Sequence, residues 1–188
     1  LHILHISTEK ETQLFSNMLP LKEKRITAEV CVHHLHFTAD DYERLGFQIK
    51  CNPAIKAPNN KEALWKALLD DRLDVIATDH APHHADEKNV EFDRAPFGIV
   101  GLETAIPIAL DRLVHAGVIR LPRLVELMSV NPAAILKVPG GSLTEGAVAD
   151  LTILAPDQSV TIDRHALVSK SHNTPYHGWT FRGAAAAT

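Results

Sequence analysis

The stretch from Leu73 to His84, LDVIATDHAPHH, constrains the fold more than any other part of the chain. Apolar Leu73, Val75 and Ile76 give way within a few residues to Asp79, His80, His83 and His84. A short apolar run of this kind predicts a buried strand, and its C-terminal end then presents a carboxylate and imidazoles. In barrel and doubly wound α/β enzymes the chemistry sits at these tips, because the strands are rigid and the loops after them carry the reacting groups.

Two further strands are expected before it, at residues 1–6 (LHILHI) and 26–32 (ITAEVCV). Thr8 and Glu11 have capping-box spacing, so a helix should start after the first strand. Leu14, Phe15, Met18 and Leu19 would continue it to Pro20. Gln48 to Cys51 reads as a short extended piece. Asn60 caps a helix with Ala63, Leu64, Ala67 and Leu68 on one face, and residues 79–98 form a long polar loop. Helical spacing returns at Leu102, Ala105, Ile106, Ala109, Leu110 and Leu113, with Pro107 a candidate kink. Pro122 to Met128 forms another helix, and Asn131-Pro132 caps a third. After Gly141 two short strands, 148–154 and 160–162, follow without helices between them. Ala184 to Ala187 reads as an appended tail that carries no signal.

The expected fold class is therefore α/β. Three β-α units are visible, whereas a closed barrel needs eight strands and about 250 residues, so a barrel reading makes this chain less than half of one. Residue 1 falls in mid-element, as if the polypeptide were longer. With 188 residues, 45% hydrophobic, and a net charge of -4, the chain can bury a sizeable core and is a poor match for nucleic acid or anionic membrane. Cys31 and Cys51 lack CxxC spacing, which favours buried thiols in a reducing, cytoplasmic setting. Twelve histidines, many at the ends of strand-like runs, keep metal chemistry open.

Four groups of residues have the right types for chemistry. Asp79 at a strand tip can bind a metal through one oxygen and take a proton with the other; the competing reading is a turn-capping Asp with His80 and His83 packed on backbone. His5 would project at the same rim if both strands share one parallel sheet, although a lone histidine on an apolar strand is commonly a core residue. His34 and His36 form an HxH that would face one side of a strand, but its place after a later strand favours a structural role. Asn52-Pro53 and Phe97-Gly98 offer an amide and exposed backbone to a flat polar ligand, or are ordinary turn chemistry.

Together these motifs resemble the bacterial, long-chain dihydroorotase family of cyclic amidohydrolases. The resemblance runs from His5-Ile6-Ser7-Thr8 through Thr27-Ala28-Glu29-Val30, His33-His34-Leu35, Asn52-Pro53 and Thr78-Asp79-His80-Ala81-Pro82-His83. It continues through Pro96-Phe97-Gly98-Ile99-Val100-Gly101-Leu102-Glu103-Thr104, Asn131-Pro132, Gly146 to Leu151 and Asn173-Thr174-Pro175. It departs at Cys31-Val32, where a small residue and Pro are usual, and at Ala54 and Lys56, where Pro and Arg are common. It implies the C-terminal portion of a (β/α)8 barrel over residues 1–138 and part of a small β-sandwich domain over 139–188.

The resemblance further implies that His5 and Asp79 bind zinc, as one or two ions, and that Asp79 is also the catalytic acid/base. Asn52, His83, Phe97 and Gly98 would hold dihydroorotate, which interconverts with N-carbamoyl-L-aspartate in pyrimidine biosynthesis. His33 and His34 are not the family's metal-binding HxH. That HxH and the remaining ligands would lie on preceding sequence, so the 188-residue segment alone is expected to be inactive. A homo-oligomer is expected, with aspartate carbamoyltransferase a candidate partner. Two alternatives are a hydrolase of hydantoin, dihydropyrimidine or allantoin rings, and a non-catalytic homologue that supports aspartate carbamoyltransferase.

Overall fold

A computed structural model describes residues 1–188. Three short parallel strands lie side by side: β1 (His2–Ile3), β2 (Thr27–Cys31) and β3 (Val75–Ala77), in the order β1-β2-β3. His2 pairs with Thr27 on one side of β2, while Glu29, Val30 and Cys31 pair with Val75, Ile76 and Ala77 on the other. Strand alternation then sorts the side chains. Ala28, Val30, Ile3 and Ile76 turn toward the main apolar core, and His2, Thr27, Glu29, Cys31 and Ala77 occupy the alternate positions.

Helix α1 (Glu9–Thr12) starts on the predicted box, with the Glu11 N–H donating to Thr8 Oγ1 and the Glu11 carboxylate accepting from the Thr8 N–H. It is one turn long and does not continue to Pro20. Arg72 donates to the Thr12 carbonyl and Asn17 to the Asp70 carbonyl, so the chain is tied sideways to the turn before β3. Leu14 and Met18 stay exposed. After β2, α2 (Val32–His36) is a helical turn, so the strand geometry proposed for His34 and His36 does not arise. Helix α3 (Tyr42–Leu45) precedes a 3-10 turn, Gly46–Ile49, where an extended piece was expected from Gln48.

Helix α4 (Pro58–Leu69) begins at Pro58 rather than on an Asn60 cap, because a proline at the first helical position gives up no hydrogen bond. Leu64, Ala67 and Leu68 are buried as the spacing predicts. One turn, α5 (Ala85–Lys88), interrupts the long loop, and α6 (Leu102–Ala109) runs into a π-helical stretch, Leu110–His115. Helix α7 (Leu121–Val125) passes through a second π stretch, Glu126–Val130, into α8 (Asn131–Leu136). Asn131 does not cap; its amide reaches the Asp74 carbonyl instead. No helix is long and apolar enough to cross a membrane.

The last part of the chain is a two-stranded antiparallel ribbon, β4 (Ile153–Thr161) and β5 (Thr180–Ala187). Residues 148–152, expected in a strand, are exposed and outside it, and the 153–161 strand absorbs the expected break at 155–159 as a register irregularity. The alanine tail is structural: Ala184, Ala185 and Ala187 pair with β4, and a Cβ on Gly183 would stand 2.5 Å from Leu110 Cβ. Ile162, Tyr176 and Phe181 belong to the same core cluster as Val30 and Ile76, with Tyr176 stacked on Phe37 at 5.3 Å.

Asp74 fixes the register at the base of β3. Its N–H donates to the Ala28 carbonyl at 2.8 Å, and its Oδ2 accepts from the Ala28 N–H at 3.0 Å. Its Oδ1 meets Lys24 Nζ at 2.6 Å, with both side chains 5% exposed. Removing one member of a buried pair strands the other charge. Asp74→Ala should therefore cost about 3–5 kcal/mol, read as a lowered denaturant midpoint. A loss below about 1 kcal/mol, the worth of an exposed pair, would contradict this role.

Candidate active site

His5 follows β1 and Asp79 follows β3, on either side of the β2 tip. Both residues have positive φ, 40° at His5 and 46° at Asp79, a region that non-glycine residues enter at a cost unless the surroundings hold them there. Here the strands hold them: Ile6 N–H donates to the Glu29 carbonyl at 2.8 Å, and Val75 to Ala77 are paired to β2. The backbone thus turns out of the strand at the residue that carries the polar group.

Glu29 sits between these tips. It pairs with His2 Nε2 at 3.0 Å and accepts from the His5 N–H at 3.4 Å. The Asp79 carboxyl is pushed up from its usual range, first by burial; His5 opposes the shift and Glu29 adds to it. The Asp79 carboxyl therefore feels the charges of both His5 and Glu29. Burial pushes the Cys51 thiol up to about 12, and Asp79 adds to that. Asn52, next in sequence, is exposed and joined to Pro53 by a cis peptide.

The loop after Asp79 is pinned from several sides. His80 Nδ1 accepts from the Gly101 and Leu102 N–H groups at 3.2 and 3.3 Å, so this imidazole serves the start of α6. His83 Nε2–H donates to the Phe97 carbonyl at 2.7 Å. Gly98 lies against Ala81, where an added Cβ would stand 2.6 Å from Ala81 Cβ, and its φ of +143° favours glycine. Its N–H donates to the Lys50 carbonyl at 2.9 Å. His83, Phe97 and Gly98 thus form one unit, with the Phe97 ring half exposed and Lys50 Nζ 4.9 Å from its centroid.

Buried Lys88 donates to the Lys50 and Pro96 carbonyls, and burial lowers its amine to about 8. A 240 Å³ cavity behind this loop, lined by Lys88, Arg164 and His172 among others, includes neither His5 nor Asp79. The HxH pair is separated: His36 packs edge-on against Phe37, Tyr176 and Trp179, while His33 and His34 lie beside Cys31.

Two contributors went unassigned in the sequence. Glu29 had a signal, since Thr27, Glu29 and Cys31 alternate along a strand whose other residues are apolar. Asn173 had none at short range. Its amide donates to the Ala81 and Gly98 carbonyls, and its oxygen accepts from the His83 N–H across ninety residues of sequence.

The chain matches the family model described as Amidohydrolase family over residues 4–184. It belongs to that family. It is 43% identical over 188 residues to a protein named dihydroorotase from Geobacter metallireducens, across 100% of this chain and 44% of that protein. A protein of the same name from Acetivibrio thermocellus is 40% identical over 184 residues, across 98% of this chain and 43% of its own length. The chain spans less than half the length of these curated relatives. Among solved structures, L-hydantoinase (dihydropyrimidinase) from Arthrobacter aurescens superposes with a TM-score of 0.88 at 29% identity, over 98% of this chain and 42% of that one. The mixed α/β architecture is thus that of part of an amidohydrolase barrel.

Because the Asn173 side chain bonds the His83 N–H and both the Ala81 and Gly98 carbonyls, Asn173→Ala should loosen that loop. Hydrogen exchange at the His83 amide should quicken by at least about tenfold, the equivalent of one hydrogen bond of about 1.4 kcal/mol, while amides of α4 keep their rates. An unchanged His83 rate would remove Asn173 from this role.

Proposed function

We propose that this chain forms the C-terminal part of a zinc-dependent dihydroorotase, a cyclic amidohydrolase that interconverts dihydroorotate and N-carbamoyl-L-aspartate. The observation that carries the reading is the pair of positive-φ residues, His5 and Asp79, on the strand tips that flank β2. The 40–43% identity to proteins named dihydroorotase supports the choice of ring. On this reading residues 1–138 belong to the barrel and 139–188 to a small β domain, and two free, buried cysteines suit a reducing, cytoplasmic compartment.

The donor set fits zinc in kind. An imidazole nitrogen and a carboxylate oxygen are ordinary zinc ligands, and the Asp79 carboxyl is desolvated without a hydrogen-bonded partner to compensate it. Two ligands fall short of the three that a catalytic site needs, so further ligands would come from other sequence in the working enzyme. When bound, the metal polarises the ring carbonyl and makes water a stronger acid.

Asp79 then takes a proton from the attacking water and delivers it to the departing ring nitrogen, at the tip where burial already favours its protonated form. The His5 backbone is tied to Glu29, and its imidazole acts on the Asp79 carboxyl through charge. His83 and Phe97 supply a rigid wall for a flat ring, and exposed Asn52 offers its amide to the ring's polar edge. Ring closure uses the same groups in reverse.

A second reading, a hydantoin-type ring, draws on the TM-score of 0.88 to L-hydantoinase. The full-length protein should turn over dihydroorotate in preference to hydantoin, and the opposite preference would replace the first reading with the second. Asp79→Asn should lower kcat by at least about 10²–10⁴-fold, the usual worth of a general acid/base; near-wild-type kcat would refute its role. His5→Ala should lower zinc stoichiometry by metal analysis. A parent protein without zinc or turnover would instead be a non-catalytic homologue, whose tested partner would be aspartate carbamoyltransferase.

A further inference from the structure

The tip of β2 carries a group of side chains that the proposed chemistry leaves unused. Cys31, His33 and His34 each offer one donor atom, and the three atoms lie within 4.8 Å of one another. The side chains come from the last residue of β2 and the first turn of α2, so strand pairing on both sides of β2 holds their backbone. All three are buried, with 0%, 3% and 3% exposure.

Each of the two histidines has a ring nitrogen without a partner. His33 Nε2 and His34 Nδ1 are buried without any hydrogen bond. For His34 the reason is on the other edge of the ring, where Nε2 lies 2.8 Å from the Pro53 carbonyl. A carbonyl only accepts, so Nε2 carries the hydrogen and Nδ1 keeps its lone pair. This is how protein metal sites orient a histidine ligand, with one ring nitrogen fixed by a backbone carbonyl and the other aimed inward. An unpartnered buried nitrogen is costly, and two beside one thiol are a donor set with an unmet requirement. Alternative apolar packing does not meet it, because Cys31 lies outside the main core cluster while Val30 and Val32 lie inside it.

We infer that Cys31 Sγ, His33 Nε2 and His34 Nδ1 form a second metal site for a borderline-soft divalent cation of the zinc class, separate from the His5 and Asp79 donors. One sulfur and two imidazole nitrogens match that class better than magnesium or calcium, which take oxygen. Binding forms a sulfur–metal bond as the Cys31 thiol loses its proton to solvent, and the cation offsets the burial that otherwise holds that thiol protonated. A tetrahedral shell with bonds of about 2.3 Å to sulfur and about 2.0–2.1 Å to nitrogen holds its donors about 3.4–3.6 Å apart, so donors that now lie within 4.8 Å of one another close by up to about 1.4 Å on binding. Occupancy would place a cation on the middle of three adjacent strand tips.

Cobalt(II) added to the chelator-treated full-length protein tests this directly. A thiolate-to-cobalt charge-transfer band should appear in the near ultraviolet and saturate. Cys31→Ser should abolish it, His34→Ala should weaken cobalt affinity at least tenfold, and Cys51→Ser should leave it intact. The double variant His5→Ala with Asp79→Ala should also retain it. No band, a band that survives Cys31→Ser, or one lost in Cys51→Ser or in the double variant would overturn the assignment. Where a histidine variant does not fold, X-ray absorption of zinc in the His5→Ala, Asp79→Ala protein gives the answer without it. A shell with sulfur and nitrogen supports the site, and a shell of oxygen and nitrogen alone refutes it.

Discussion

The register of β2 between its two neighbours decides where every polar group of the site ends up. Asp74 locks that register by bonding both backbone groups of Ala28 while its carboxylate holds Lys24 in a buried pair. A slip of one residue would turn Ala28 and Val30 away from the core and drive Glu29 and Cys31 into it. The apolar side of the sheet thereby enforces the polar side. Core packing does not touch the chemistry, yet it fixes which strand-tip residue faces which.

The same division explains what was legible in the sequence. The three parallel strands, the Thr8 capping box and the buried face of α4 follow from local pattern, because period and capping residues act over a few positions. His5 and Asp79 were legible as abrupt polar residues at the ends of apolar runs. The extent of α1 was not, since Leu14 and Met18 have helical spacing but the chain is drawn aside by bonds to Asp70 and Arg72 more than fifty residues away. The HxH misleads for a related reason: spacing of two signals a shared face only in a strand, and residues 32–36 are helical.

The alanine tail shows the limit from the other direction. Four alanines carry no amphipathic signal, yet they complete a ribbon whose Phe181 and neighbouring Tyr176 enter the core beside Phe37. What places them is Gly183, whose missing side chain lets the backbone close on Leu110. Asn173 is similar. It links the C-terminal segment to the loop that carries His83, so the segment farthest from the strand tips in sequence stiffens the loop nearest to them.

The cost of the site is visible in its two tips. His5 and Asp79 occupy a backbone region that opposes their side chains, and Asp79 is desolvated without hydrogen bonds while Glu29 repels it. The sign of the resulting linkage is fixed: a carboxyl whose folded pKa is raised contributes most below its unfolded pKa and loses that contribution as pH rises through the folded value. In the metal-free fold Asp79 therefore weakens the structure at neutral pH. A cation reverses the sign, because it favours the charged carboxylate that burial penalises. In the proposed metal site, the destabilisation of Asp79 and its affinity for a cation are one electrostatic quantity, which the fold supplies by partly burying the carboxyl and leaving it without a hydrogen-bond donor.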